Sequence, residues 1–216
     1  MNSYDINNRN KVKRVPQRGH YDARTVHDIL DAGCMCHVGF VVDGQPFVIP
    51  TLYGRKGDVI HLHGASSSRM LKSLDKGIDV CVTVTHVDGL VLARSIFHHS
   101  MNYRSVVLFG KAKKVSEGNK IEALRIVSEQ IIPGRWEEAR EPSTKELKAT
   151  TVLEIQIDQA SAKIRQGPPS DDAADYELNI WAGVVPLNHI KDEPVPDEQN
   201  KAGVKIPKSV KDYLKL

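Results

Sequence analysis

The fold is decided by residues 35–53, which read MCHVGFVVDGQPFVIPTLY. Met35–Val42 and Phe47–Tyr53 are rich in β-branched and aromatic residues, and Asp43-Gly44 between them is a favourable hairpin turn. A third run of this kind, Val59–His63, follows after another short turn that contains a glycine. The stretch therefore predicts three antiparallel strands joined by short connections.

The rest of the chain adds strands and a few helices. Apolar residues spaced three to four apart predict helices over Tyr21–Ala32 and Ser66–Leu74, and a third helix that begins at Ser116. Further strands are predicted over Val80–Thr85, Leu90–Ile96, Val106–Val115 and Thr150–Ile157, with a hairpin turn at His86–Gly89. Six to seven antiparallel strands with few helices indicate a mainly β protein, a small β-barrel, because closure removes exposed strand edges.

The two ends of the chain differ in character from its centre. Residues 1–17 are polar and aperiodic, and residues 188–216 carry several prolines among charged residues. Such composition is typical of arms that extend from a domain. We therefore expect an N-terminal arm over 1–17, one domain over 18–187 and a polar tail over 188–216.

Composition excludes several classes of protein. Of the 216 residues 40% are hydrophobic and 26% charged, which is typical of a folded globular chain. The net charge of +3 is too small to indicate a nucleic-acid partner, and no apolar run approaches the ~20 residues that span a bilayer. The three cysteines, Cys34, Cys36 and Cys81, form no even framework, so we expect reduced thiols and a cytoplasmic location.

Two polar clusters carry the chemistry of the sequence. Ser66-Ser67-Ser68-Arg69-Met70-Leu71-Lys72 combines hydroxyls, backbone donors at a predicted helix start and two cations one turn apart, which suits a phosphate monoester. The alternative is a serine-capped helix with a solvated basic face. The second cluster, Asn102-Tyr103-Arg104-Ser105, immediately precedes the strand that begins at Val106, and by itself it favours a loop that ends in an exposed arginine.

In this order on a run of short strands, these clusters resemble the FMN-binding split-barrel superfamily that includes pyridoxamine 5'-phosphate oxidase, and most closely its nitroimidazole-resistance-like branch. The resemblance covers His20 to Leu187. It rests on the following matching segments: 18–22, 47–53, 62–64 with Ser68-Arg69, 97–105 and 181–184. It implies an FMN-binding homodimer with two flavins at the interface, each contacted by both subunits.

The resemblance also implies roles for individual residues. The isoalloxazine edge would be lined by Val48, Ile49, Pro50, Thr51 and Leu52. Ser68 and Arg69, with Lys72, would hold the 5'-phosphate. A further part of the site, from the partner chain, would comprise Asn102, Tyr103, Arg104 and Ser105. Trp181 resembles a late aromatic residue that approaches the ring, and packing at the rim of the barrel is the alternative. Apart from the resemblance, His63 or His99 is a candidate for the lining of the flavin site, and a structural role is the alternative.

The function expected from this resemblance is an FMN-dependent oxidoreductase that acts on an unidentified small molecule. Oxidation of pyridoxamine phosphate itself is disfavoured, because the chain after Trp181 has no counterpart of the basic residues that grip that substrate. A non-catalytic flavin- or haem-binding protein is the alternative. The histidines match no zinc-ligand spacing, so no metal site is predicted.

Overall fold

The computed structural model describes residues 3–215, and its main feature is a single nine-stranded antiparallel sheet. The strands are β1 (Gly19–His20), β2 (Met35–Val42), β3 (Gln45–Lys56), β4 (Val59–Ala65), β5 (Asp79–Leu92), β6 (Ser100–Lys114), β7 (Thr150–Gln156), β8 (Gln159–Arg165) and β9 (Gly183–Pro186). Five α-helices accompany them: α1 (Ala23–Asp31), α2 (Arg69–Leu74), α3 (Lys120–Ile131), α4 (Thr144–Ala149) and α5 (Lys208–Lys215). The mainly β fold class predicted from the sequence is confirmed.

The sheet closes into a barrel because β6 pairs with three strands. In sheet order β6, β7, β4, β3, β2 and β5 are neighbours, and the additional pairing of β5 with β6 closes this ring. β8 pairs with β6 over residues 103–109 and β7 pairs with it over 112–114, so β6 changes partner at Gly110. A Cβ at Gly110 would lie 2.2 Å from the Gln156 carbonyl oxygen, so only glycine fits this close crossing.

The predicted first and second helices are present, and each has a side-chain cap. α1 begins after Asp22, whose carboxylate accepts a hydrogen bond of 2.8 Å from the Thr25 amide. α2 begins after Ser68, whose hydroxyl oxygen accepts one of 3.4 Å from the Leu71 amide. Both caps satisfy amides that a helix start leaves unpaired.

The largest difference from the sequence prediction lies in β5. The two strands Val80–Thr85 and Leu90–Ile96, with a hairpin between them, are wrong, because β5 runs without interruption from Asp79 to Leu92. The turn-forming Asp88-Gly89 pair is absorbed by a β-bulge between Val87 and Gly89. The sheet also has more strands than predicted. The additional strands are β1, β8 and β9, which lie outside the closed ring.

The core fills the barrel and the groove under α1. It contains Val26, Ile29 and Leu30 of α1 and the inward-facing aliphatic residues of the strands. The buried Tyr53 hydroxyl donates a hydrogen bond to the Leu30 carbonyl, which connects α1 with β3.

All three cysteines are free, and Cys36 is fully buried. Among residues 3–215, no helix has the length and apolar character needed to cross a bilayer.

Candidate functional site

One edge of β3 lacks a strand partner over most of its length. β3 pairs with β2 over Gln45–Leu52 but with β4 only over Tyr53–Lys56. Within residues 3–215, the other edge of the Gln45–Leu52 segment is therefore unpaired. This segment contains the five residues predicted to line the isoalloxazine ring: Val48, Ile49, Pro50, Thr51 and Leu52. Alternate backbone groups along such an edge are free to bond the polar rim of a planar ligand.

The side chains of this segment divide between the core and an exposed face. Ile49 packs against the core, whereas Val48 is 67% exposed and Pro50 and Leu52 are also exposed. In register with them on β2 stands the exposed Met35, which pairs with Leu52. The result is an exposed apolar face on two adjacent strands, the kind of surface that proteins use for ligands or partners.

Ser68 and Arg69 are brought next to this edge. The Arg69 guanidinium carbon lies 4.4 Å from the centre of the Phe47 ring, and Phe47 directly precedes Val48 on β3. Arg69 is exposed and forms no ion pair within residues 3–215. Its fork of donors therefore stands free beside the unpaired edge. Lys72 is exposed on the last turn of α2, without a salt bridge to a described residue.

His63 lies in β4, where it pairs with Val152 of β7. Its Nδ1 atom is buried without a hydrogen-bond partner in the described chain. Burial lowers the pKa of His63, and the same cause dominates the lowered pKa of His61 two residues earlier. Both rings are therefore held in the neutral form.

The Asn102–Ser105 cluster lies inside β6 and not in a loop, and three of its side chains, those of Asn102, Arg104 and Ser105, form hydrogen bonds within the chain. Arg104 donates two hydrogen bonds, of 2.9 and 3.0 Å, to the Asp88 carboxylate across the sheet. Through these bonds and its charge Arg104 holds the pKa of Asp88 below its usual range. Asn102 accepts a hydrogen bond from Arg165. Tyr103 and Ser105 alternate with these two residues along the strand and are partly exposed.

Within one chain, the two clusters stand far apart along the barrel. The Arg69 side lies beside β4, which β6 approaches only through β7 at residues 112–114. The Asn102–Ser105 cluster lies roughly 25 Å earlier along β6, at ~3.3 Å per residue. Within the described part of one chain, no hydrogen bond or ion pair connects the two clusters.

Trp181 stands immediately before β9, which pairs with β5. Its side chain is 67% exposed, and its ring covers Gly183, where a Cβ would lie 2.8 Å from the ring. An exposed indole of this kind is available for contact with a ligand or another subunit. Among the described residues, no side-chain hydrogen bond connects Trp181 with the unpaired edge of β3.

One group of polar residues was missed as a site by sequence reasoning. Four cations from distant parts of the chain line one cavity. Two come from residues 14–18 and two from β8: Arg14, Arg18, Lys163 and Arg165. From the sequence alone, the segment 161–165 is equally compatible with a cover over the site and with a solvated strand end, and it does not indicate that Lys163 and Arg165 lie beside residues 14–18. The pairing of β1 with β8, which places Gly19 opposite Lys163, brings these segments together.

Comparison with known proteins identifies the class to which this barrel belongs. A family model described as pyridoxamine 5'-phosphate oxidase matches residues 22–164. The chain belongs to this family, which confirms the resemblance drawn from its motifs. The comparison with curated proteins gave no match.

Several solved structures are similar to this chain. The structure of the flavocytochrome Anf3 from Azotobacter vinelandii is 42% identical, with a TM-score of 0.90, and the match covers 95% of this chain and 96% of that one. The FAD and haem binding protein from Mycobacterium smegmatis is 36% identical, with a TM-score of 0.87 over 90% and 96% of the two chains. A putative 5-nitroimidazole antibiotic resistance protein from Bacteroides thetaiotaomicron, 23% identical with a TM-score of 0.56 over 66% and 84%, shares the fold.

Proposed function

We propose that this protein binds a flavin, with the isoalloxazine ring along the unpaired edge of β3 and the phosphate at Ser68 and Arg69. The observation that carries the proposal is the position of the unpaired Arg69 guanidinium beside Phe47, where this free edge begins. Charge-assisted hydrogen bonds to phosphate contribute about 1.5–3 kcal/mol each. When bound, a flavin supplies the hydride and electron chemistry of an oxidoreductase, and the protein positions it.

The proposed assembly is a homodimer with flavin at the interface. It is supported by the exposed apolar face of β2 and β3, which includes Met35 and Val48, and by the distance between the Arg69 and Arg104 regions within one chain. A second subunit would cover the apolar face and would bring its own Asn102–Ser105 segment to the site. The substrate class proposed from the sequence, a small redox-active molecule, remains part of this proposal.

The flavin is proposed to be FAD in place of the FMN that the resemblance implied. The 36% identical relative, which matches 90% of this chain, is an FAD and haem binding protein. FMN and FAD have the same ring and the same first phosphate, so the residues around β3 and α2 suit both. Mass spectrometry of the compound released from purified protein decides between them.

Haem binding is a second candidate function. The specific observation in its favour is that two relatives, 42% and 36% identical, are a flavocytochrome and an FAD and haem binding protein. We propose that this chain also binds haem, which would make it an electron-transfer flavoprotein. A pyridine haemochromogen assay on the purified protein tests this separately, because flavin alone gives no haemochromogen spectrum.

The flavin proposal is tested by replacing Arg69. The Arg69→Gln protein should remain folded by circular dichroism, because the residue is exposed, and should lose most of its flavin absorbance. The matched control is Arg24→Gln, which removes an exposed arginine from α1 and should retain the flavin. Full flavin occupancy in the Arg69→Gln protein would remove Arg69 from the site, and wild-type protein without any flavin would refute the proposed function.

A further inference from the structure

A cavity of about 580 Å³ lies between the N-terminal arm, the 97–100 segment and the end of β8. Four cationic side chains line it: Arg14, Arg18, Lys163 and Arg165. None of the four forms an ion pair with a carboxylate in the part of the chain from 3 to 215. Such a concentration of like charge in one concave site favours an anion.

Arg165 is the most constrained of these cations. The residue is only 7% exposed, and its one side-chain hydrogen bond among the described residues goes to the neutral Asn102 side chain at 2.5 Å. Burial lowers the pKa of Arg165, and the nearby charge of Arg18 lowers it further. A buried guanidinium without a counter-ion is costly, and an anionic ligand would remove that cost.

The two carboxylates that line the cavity are engaged elsewhere. Asp171 accepts hydrogen bonds from the backbone amides of Arg94 and Ser95 and from the Arg94 side chain. Asp172 lies 3.3 Å from the His98 ring nitrogen. Neither forms an ion pair with any of the four cations, so the cavity retains an excess of positive charge.

The rim of the cavity carries an aromatic side chain in an unusual position. Phe97 is 88% exposed, and its ring centre lies 5.2 Å from that of His98. Tyr103 also lines the cavity. An exposed ring above a cationic pocket offers a nucleobase a stacking surface while the phosphates lie below.

From this arrangement we propose that the cavity binds the phosphate groups of a nucleotide, with Arg18, Lys163 and Arg165 as ligands of the phosphates and Phe97 against the base. The nucleotide has two possible sources. It is either the adenosine monophosphate half of FAD, in which case the inference rests on the proposed function, or a free nucleotide that binds independently of the flavin.

The experiment compares wild-type protein, as purified, with the Arg18→Gln/Lys163→Gln variant. Both side chains are partly exposed and without ion pairs to described residues, so the variant should fold. The control is Lys145→Gln/Lys148→Gln, which removes two charges from the exposed surface of α4. The measurements are the affinity for ADP by calorimetry and the identity and amount of bound flavin.

Either of two results supports the cavity as a nucleotide site. If the nucleotide is free, wild-type and control proteins bind ADP, and the variant binds it about a hundredfold more weakly. If it belongs to the flavin, wild-type and control proteins carry FAD, and the variant loses FAD or carries FMN instead. Unchanged flavin content together with unchanged ADP binding in the variant would overturn the inference.

A second variant tests the aromatic rim. Phe97→Ala should weaken ADP binding, or FAD retention, while the affinity for inorganic pyrophosphate stays at the wild-type value. Equal ADP and FAD binding by Phe97→Ala and wild type would exclude the stacking role. A protein that binds ADP through the cations but contains no flavin would refute the proposed function and leave this inference standing.

Discussion

At the scale of single residues, Asp58 fixes the N-terminal arm to the barrel. The buried Tyr4 hydroxyl donates a hydrogen bond of 2.7 Å to the Asp58 carboxylate, and the His27 ring nitrogen lies 2.9 Å from the same oxygen. Burial acts to raise the pKa of Asp58, but the hydrogen bonds from Tyr4 and His27 outweigh it, so the pKa is lowered. The ionised carboxylate is therefore the form that stabilises the fold.

The pH dependence of stability tests this contact. Because the folded-state pKa is depressed, the contribution is complete above the unfolded value of about 3.9 and is lost as pH falls through the folded value. Asp58→Asn should lower the free energy of unfolding by about 1–2 kcal/mol at pH 7, and the difference from wild type should shrink below about pH 4. Urea unfolding monitored by circular dichroism from pH 7 to pH 3 measures it.

The control for this experiment is Asp192→Asn, which changes an exposed carboxylate of the tail. Its stability should follow that of wild type at every pH. A difference between wild type and Asp58→Asn that stays constant down to pH 3 would show that the ionisation of Asp58 does not stabilise the native state.

At the scale of secondary-structure elements, the sequence was informative where local signals agree with the tertiary structure. The Asp43-Gly44 turn between β2 and β3 is present, with both residues at positive φ, as a two-residue hairpin requires. In β5 the same signals were misleading. Asp88 and Gly89 read locally as a turn, but Asp88 is bonded to Arg104 of the neighbouring strand and Gly89 is paired with Pro186 of β9. These distant partners cannot be read from the local sequence.

In the candidate site too, residues that form a local sequence pattern were predictable, and residues that meet only in the folded chain were not. Ser68-Arg69 was identifiable because hydroxyls and cations at a helix start form a local pattern. The cations of the further cavity were not, because Arg18 and Lys163 are far apart in sequence and meet only through the pairing of β1 with β8. A short strand such as β1, with two residues, carries too little periodicity to be predicted.

The contact between α3 and β3 depends on the absence of a side chain at Gly54. A Cβ there would lie 2.6 Å from both the Ile126 carbonyl oxygen and the Val127 Cα, which are backbone atoms of α3. Gly54→Ala should therefore displace α3 and lower the free energy of unfolding by about 3 kcal/mol, in the upper range for overpacking. Chemical denaturation measures this loss.

A glycine with open space around it provides the comparison. Gly118→Ala introduces the same methyl group where no atom lies within 4 Å and where φ is not positive, so its stability should stay within about 0.5 kcal/mol of wild type. Equal stabilities for Gly54→Ala and Gly118→Ala would mean that α3 does not pack on β3 as closely as described.

At the scale of the whole molecule, the barrel is closed but its outer surface is incomplete. The ring from β6 through β7, β4, β3 and β2 to β5 leaves one side of the Gln45–Leu52 segment of β3 unpaired. Several exposed apolar side chains, among them Met35 and Val48, lie on β3 and on its neighbour β2. Because the edge and this apolar face adjoin, one partner subunit of the proposed homodimer would cover both, and the proposed flavin would then lie between the subunits.

This arrangement predicts that Arg69 of one chain and Arg104 of the other serve the same flavin. The Arg69→Ala and Arg104→Ala proteins should each lack flavin, because every site in either homodimer contains one altered residue. When the two variants are unfolded together and refolded, half of the dimers should be mixed, and one of the two sites in each mixed dimer is unaltered. Flavin occupancy should therefore recover to about a quarter of the wild-type level, as two-fold symmetry requires. Absorbance of the separated dimers measures it. If both arginines served the same chain's site, every site in the mixture would still be altered and no flavin would return.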